Sequence, residues 1–493
     1  MPASKITVWP HEPTALIRPE LYGHFAEHLG GCIDEGIWVG ENSPIPNFGG
    51  IRSDVLEALR LLHPPVLRWP GGCFADDYHW EDGVGPRPNR PRRVNLWWGQ
   101  DIETNGFGTH EFIQVCRYLG AEPYIGGNVG TGSPRELREW VEYCNFSGDS
   151  TLARLRATNG SPVPFGVRYW GIGNEAWGCG GIFCPEDYAA EYKRYATFVR
   201  EFSGTRPFLI ACGPDGNDAN WTTRFFEKLG RFPQIAGYAA HYYCGTAGPS
   251  ATEFDLNQWY ELLEKATRME KLVLEQRALL DRFDPQRKIG LIIDEWGTWH
   301  LATPGRNPAH LWQQNTLRDA LVAAITLDVF NRHADKLVMA NIAQTVNVLQ
   351  AMVLTQGEKM ITTPTYHVFE LYRTHQGGRS LRTSFEAPAI SFAAGDEKRQ
   401  MVGLSGSASL KGDLLTLSVV NAHASLPAEA TLDLQGSRLS EATLSTLTHS
   451  HLNAHNTFEQ PNALRPSSGT WEPTERHVFP PASVTVIRGR LGS

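Results

Sequence analysis

Tyr169-Trp-Gly-Ile-Gly-Asn-Glu175 and Leu291-Ile-Ile-Asp-Glu295 share one pattern: an apolar run stopped by a polar residue and a glutamate. A short apolar run ending abruptly in ionisable side chains reads as a buried strand whose C-terminal end meets solvent. Working outward, β-rich runs recur at 21–27, 66–69, 122–126, 167–173, 208–211, 235–243, 289–294 and 337–343. Helical patterns separate them. Ile51, Val55, Leu59 and Leu62 repeat at helical spacing, and long helical stretches follow Pro185, Phe254 and His310. Ser133-Pro134-Arg135-Glu136 reads as a capping box with proline at the first helical position. Eight strand–helix alternations predict parallel strands with crossover helices, and eight is the number that closes a (β/α)8 TIM barrel, placed at 18–375.

After about residue 380 the texture changes. Residues 414–420, 430–434 and 482–487 look like strands separated by Gly, Ser, Asn and Pro clusters, without helices between them. This predicts a C-terminal all-β sandwich over 376–493. The N-terminal piece, 1–17, is expected to add a strand to it through residues 5–8.

The net charge of −8 leaves no basic footprint for nucleic acid. The one basic cluster, Arg87-Pro-Asn-Arg-Pro-Arg-Arg93, is broken by proline and reads as a solvated loop. No run of about 18 apolar residues predicts a membrane span. Residues 1–20 lack the pattern of a secretory signal. All eight cysteines fall between Cys32 and Cys244 at irregular spacing, which reads as reduced thiols in a cytoplasmic enzyme, Cys179 and Cys184 included.

In such a barrel the active site lies at the C-terminal ends of the strands. Those ends carry Glu27 and His28, Arg68 and Trp69, Asn128, Asn174 and Glu175, Cys212, His241 and Tyr243, Asp294 and Glu295, and Gln344. Two facing carboxylates suit glycoside hydrolysis: one protonates the departing oxygen while the other attacks an oxocarbenium-like centre. A single strand-end glutamate is more often an ion-pair partner, but the Asn-Glu and Asp-Glu endings on strands four and seven form a matched set. A carbohydrate-binding protein without activity would tend to lose one of the two. His24-Phe-Ala-Glu-His28 matches a zinc-protease pattern, but that site needs a helix, and glycines flank this stretch on both sides. No metal or cofactor is expected.

The chain resembles glycoside hydrolase family 51, in the barrel clan with catalytic glutamates on strands four and seven. The resemblance runs in order through Tyr22-Gly-His-Phe-Ala-Glu-His28, Arg68-Trp-Pro-Gly-Gly72, Tyr78-His-Trp-Glu-Asp-Gly-Val-Gly-Pro86 and Glu103-Thr-Asn105. It continues through Gly173-Asn-Glu175, His241-Tyr-Tyr243, Asp294-Glu-Trp296 and Ala343-Gln-Thr-Val-Asn-Val348. It implies a retaining exo-α-L-arabinofuranosidase acting on arabinose-containing oligosaccharides or polysaccharides, with Glu175 as acid/base and Glu295 as nucleophile. It further implies that Asn174 binds the sugar 2-hydroxyl and Tyr243 orients Glu295. His241 would line the floor, Glu27 and Gln344 would bind ring hydroxyls, and Arg68 would keep the nucleophile ionised. A homo-hexamer is implied too. Where the family commonly has Asn after Pro-Gly-Gly, this chain has Cys73, so a β-D-galactofuranosidase or an endo-acting glucanase or xylanase stands as the alternative. Asp76 and Asp77 also depart from the uncharged residues of the family. Among the tryptophans near the active face, Trp97, Trp98, Trp177, Trp296 and Trp299, we single out Trp177 and Trp299 as sugar-stacking candidates.

Overall fold

Eight parallel strands close into a barrel in sequence order: Gly23–Phe25, Val66–Trp69, Glu122–Gly127, Tyr169–Ile172, Phe208–Asp215, Gly237–Gly245, Gly290–Trp299 and Leu337–Ala343, the last pairing with the first. The computed structural model describes residues 4–472, 474 and 476–492. The apolar runs are continuous because both strand faces are covered. One face fills the barrel: Val66, Tyr124, Tyr169, Ile210, Ala239, Ile292 and Met339 form a single interior cluster. The other packs under the helices, where Leu67, Ile125, Trp170, Tyr238 and Ile293 join the main core.

A helix follows each strand: Ser53–Leu62, Thr109–Leu119, Pro134–Asn145, Pro185–Ala196, Ala219–Leu229, Leu256–Phe283, Leu317–Arg332 and Pro364–Tyr372. Ser133 caps the third of these, its hydroxyl accepting from the Glu136 N–H at 3.2 Å. The reciprocal half of the predicted box is missing, because the Glu136 carboxylate lies 3.0 Å from His79 Nδ1 instead.

Beyond the barrel, nine strands form one sheet that includes Ser4–Leu16, which pairs antiparallel with Arg379–Glu386 and parallel with Ala428–Asp433, and the rest pair off as two-stranded hairpins. Ala430 and Phe479 come from one end of the strand order and Leu439 and Ala442 from near the other, yet all four share one core. The sheet therefore curls over on itself into a sandwich. Helix Leu317–Arg332 is wedged between sandwich and barrel, with Leu317–Asn331 buried throughout. Its Asp328 accepts hydrogen bonds from Ser407 (2.6 Å) and Ser418 (2.5 Å) of the sandwich and from Tyr372 (3.0 Å).

The basic loop is not simply solvated. Arg87 bridges Glu41 and Glu111, and Arg90, nearly buried, reaches Glu111 and the Asn105 carbonyl. Its charges are used to hold the loop down.

Candidate active site

Strand four ends at Ile172, and the chain turns sharply through Gly173, with φ +80°. A Cβ at that position would lie 3.1 Å from Val129, so glycine suits both the dihedral and the space. Glu175 itself has φ +40°, a region costly for a residue with a side chain. The neighbouring loops hold the turn. Asp76 accepts from the Asn174 N–H at 2.8 Å and, on its other oxygen, from Val129 N–H at 2.7 Å and Gly130 N–H at 3.1 Å. Burial pushes its carboxyl up to about 7 against the pull of these donors.

The turn aims Glu175 at strands six and seven. Their register pairs His241 with Glu295, across an irregularity just before His241. His241 Nδ1 lies 3.0 Å from Glu175 Oε1 and 3.6 Å from Glu295 Oε2. Oxygens of the two glutamates lie within 4.8 Å of each other. Tyr243 donates to Glu295 Oε2 at 2.7 Å, and Arg68 donates to Glu295 Oε1 and to Asn174 Oδ1, both at 2.6 Å. Arg68 is buried over the Phe25 ring and stands 3.6 Å from Asp294. Tyr124 and Asn341 in turn donate to Asp294.

These surroundings separate two identical side chains. Burial and the neighbouring charge of Glu295 raise Glu175 above the usual carboxylate range, with His241 opposing. Burial also works to raise Glu295, but the charges of His241 and Arg68 and the hydrogen bonds from Arg68 and Tyr243 outweigh it and leave it lowered. His241 is raised: burial pulls it down, and the two glutamates more than compensate. One carboxyl is thus set to carry a proton and the other to stay ionised.

Beside the pair lies a polar pocket floor. Glu27 accepts from Phe74 N–H (3.1 Å), Trp98 Nε1 (3.0 Å) and Gln344 Nε2 (2.8 Å). Burial, then the charge of Glu295, raises it to about 7. Gln344 Oε1 is buried without a partner, an acceptor left for an incoming donor. At Gly72 the backbone borders this space: a Cβ would sit 3.1 Å from Glu295 Oε1, 3.4 Å from Glu27 Oε2 and 3.5 Å from Asn174 Nδ2.

The structure brings together Glu27, Arg68, Asn174, Glu175, His241, Tyr243, Glu295 and Gln344. Arg68 spends one terminal nitrogen on Glu295 and the other on Asn174, so it holds these two side chains in place. Trp299 is partly exposed and stands edge-on to Tyr243, ring centroids 5.1 Å apart, whereas Trp177 is half-buried against the core. Trp296 is a core residue packed on Phe330 and Phe369. Trp98 was not among the expected site residues, and only its place in a loop near the active face pointed to it.

Cys73 and Cys179 correct the reading of reduced thiols. They form a disulfide, so Cys73 offers no thiol to a ligand; the other six cysteines are free. The bond ties the turn after Gly72 to the loop after Glu175. His24 and His28 fail as a zinc pair because His24 lies on a strand, buried against the Phe369 ring, and His28 Nδ1 is engaged by Glu103.

The model of the α-L-arabinofuranosidase 1 domain matches residues 58–250, and that of the α-L-arabinofuranosidase C-terminal domain matches 294–483. An intracellular exo-α-L-arabinofuranosidase of Bacteroides ovatus is 45% identical, over 94% of this chain and 90% of its own. The crystal structure of the family 51 arabinofuranosidase of Xanthomonas axonopodis pv. citri is 41% identical with a TM-score of 0.95, covering 99% of this chain and all of its own. The chain belongs to glycoside hydrolase family 51. Another member's structure, the Thermotoga maritima α-L-arabinofuranosidase in an arabinose complex, is 35% identical with a TM-score of 0.88, covering 99% of this chain and all of its own. Family 51 membership covers barrel and sandwich alike.

Proposed function

We propose that this family 51 enzyme is a retaining exo-α-L-arabinofuranosidase, releasing terminal α-L-arabinofuranose from arabinose-containing oligosaccharides or polysaccharides. Glu175 protonates the leaving oxygen while Glu295 attacks the anomeric carbon. Water, deprotonated by the same Glu175, then releases the sugar from Glu295. The observation that carries this reading is the approach of the two carboxylates to within 4.8 Å, which leaves no room for an attacking water between them. Asn174 supports it, since Arg68 occupies its oxygen and its amide, with only a long 3.8 Å contact to the Cys179 sulfur, has a hydrogen to donate to the 2-hydroxyl. Glu27 and the unpaired Gln344 Oε1 supply the ring-hydroxyl contacts. The names of the relatives support the arabinofuranose over other sugars.

No helix among the described residues is long and apolar enough to cross a membrane. A cytoplasmic location and a homo-hexamer complete the reading; the first rests on the intracellular Bacteroides relative, the second on family resemblance alone. The acid/base role is tested with Glu175→Ala on aryl α-L-arabinofuranosides. Substrates with poor leaving groups should slow most, and azide should restore turnover and yield a glycosyl azide, because a small anion replaces the missing base. Uniform loss across leaving groups, with no azide effect, removes Glu175 from that role.

A further inference from the structure

The double displacement makes no use of the disulfide that lies beside Glu175 in the cleft. The Cys73–Cys179 bond joins two loops whose α-carbons stand 5.4 Å apart, and the Cys179 sulfur lies 3.6 Å from Glu175 Oε2. A disulfide sulfur has no proton, so this is a contact only. Ligand atoms of Cys73, Cys179 and Glu175 all lie within 4.8 Å of one another, and the three residues are half-buried, open to the cleft. Glu175 Oε1 faces His241 while Oε2 faces the sulfur, so the second oxygen is available without breaking the first contact.

We propose that Cys73 and Cys179 are a redox-gated metal site: the disulfide leaves Glu175 free, and the dithiol, together with Glu175, takes a thiophilic divalent cation of the zinc class. A small-molecule dithiol supplies the two electrons. One of its sulfurs attacks the Cys73–Cys179 bond to form a mixed disulfide, and the other then displaces the protein sulfur from it; the reductant's two thiol protons pass to Cys73 and Cys179, and the reductant leaves as a cyclic disulfide. Zinc then displaces both thiol protons to solvent, because the thiolate is the ligand. With Zn–S near 2.3 Å and Zn–O near 2.0 Å, a tetrahedral site sets sulfur and oxygen ligands about 3.5 Å apart. The 3.6 Å separation already present between Cys179 and Glu175 matches that edge. The Asn174 amide, 3.8 Å from the same sulfur, is placed to donate to a thiolate. Two sulfurs and one carboxylate leave a fourth position for water, and they remove Glu175 from proton transfer. The loss of turnover rests on Glu175 being the acid/base; the uptake of metal does not.

The test compares oxidised enzyme with enzyme reduced by dithiothreitol and desalted without air. Thiol titration of the denatured protein should rise from six, the free cysteines here, to the full eight of the chain. Each form is then equilibrated with about 10 µM zinc sulfate, desalted and analysed for bound metal, a level at which a mixed thiolate–carboxylate site should fill. The reduced form should hold one more zinc per chain and lose at least about tenfold in kcat/KM, restored by a chelator. Cys73→Ser and Cys179→Ser should each abolish the extra zinc. Equal zinc in the two forms, an extra zinc that survives both substitutions, or a pair that stays oxidised in dithiothreitol overturns the site. Extra zinc with turnover intact removes Glu175 as the third ligand. The azide experiment is run without zinc, so a failure of the acid/base reading shows itself separately from a failure of this one.

Discussion

Glu175 and Glu295 are the same side chain made unlike by their neighbours. Glu295 has two charge-assisted donors, Arg68 and Tyr243, whereas Glu175 has only the shared His241. The proposed double displacement needs Glu295 ionised and Glu175 protonated. The rate should therefore fall on the acid side as Glu295 takes a proton and on the alkaline side as Glu175 loses one, giving a bell. Tyr243→Phe removes a donor that holds Glu295 down, so the acid limb should move to higher pH. The alkaline limb should move less, and kcat/KM should fall roughly tenfold or more, the scale of one hydrogen bond to a charged group. A profile lowered evenly, with its acid limb unmoved, would mean that Tyr243 does not tune Glu295.

The elements that carry the site are the strand-end turns, and their supports are local. Asp76 ties the loops after strands three and four together through three backbone N–H groups. In Asp76→Asn one carboxylate oxygen becomes an amide that meets an N–H donor to donor, so the Glu175 turn should loosen and kcat should drop by about tenfold or more. Asp77→Asn, whose carboxylate meets only the Thr131 hydroxyl at 3.3 Å among the described residues, serves as the control and should stay near wild type. The eight strands were legible because covering both faces of a parallel sheet forces unbroken apolar runs; five of the barrel helices showed by spacing, cap or length, but Thr109–Leu119, Ala219–Leu229 and Pro364–Tyr372 did not. Glu175 and Glu295 were legible for the same reason, since an ionisable residue halts an apolar run, although strand seven itself does not end at Glu295 but runs on to Trp299. The disulfide was not: its cysteines are 106 residues apart in the chain, and only the parallel pairing of strands two and four to strand three brings their loops together on one rim. The Trp98 contact with Glu27 was hidden likewise, because a loop has no periodicity to show where its side chains point. Asp76 was visible as a departure from the family but carried no signal of burial, and Glu136 fits a capping box by spacing although His79 diverts it.

At the scale of the whole molecule, the sandwich is keyed to the barrel by helix Leu317–Arg332, and buried Asp328 is the polar centre of that contact. Burial lifts its carboxyl from 3.8 to about 6 despite the three hydroxyl donors. A group with a raised folded pKa gives stability that is full below the unfolded value and lost as pH climbs through the folded one. Asp328→Asn, neutral throughout, should therefore gain in Tm relative to wild type as pH rises from about 4 to 7, the span of that shift. A Tm difference that stays constant over this range would show that no charge is being buried there. The central claim, that Glu175 and Glu295 work as an acid/base and nucleophile on one arabinofuranose, is tested most directly by the stereochemistry of transfer. With an aryl α-L-arabinofuranoside in methanol-containing buffer, two inversions at the anomeric carbon return the starting configuration. Proton NMR of the stable glycoside product should show methyl α-L-arabinofuranoside, and methyl β-L-arabinofuranoside as the first product would contradict a covalent intermediate on Glu295.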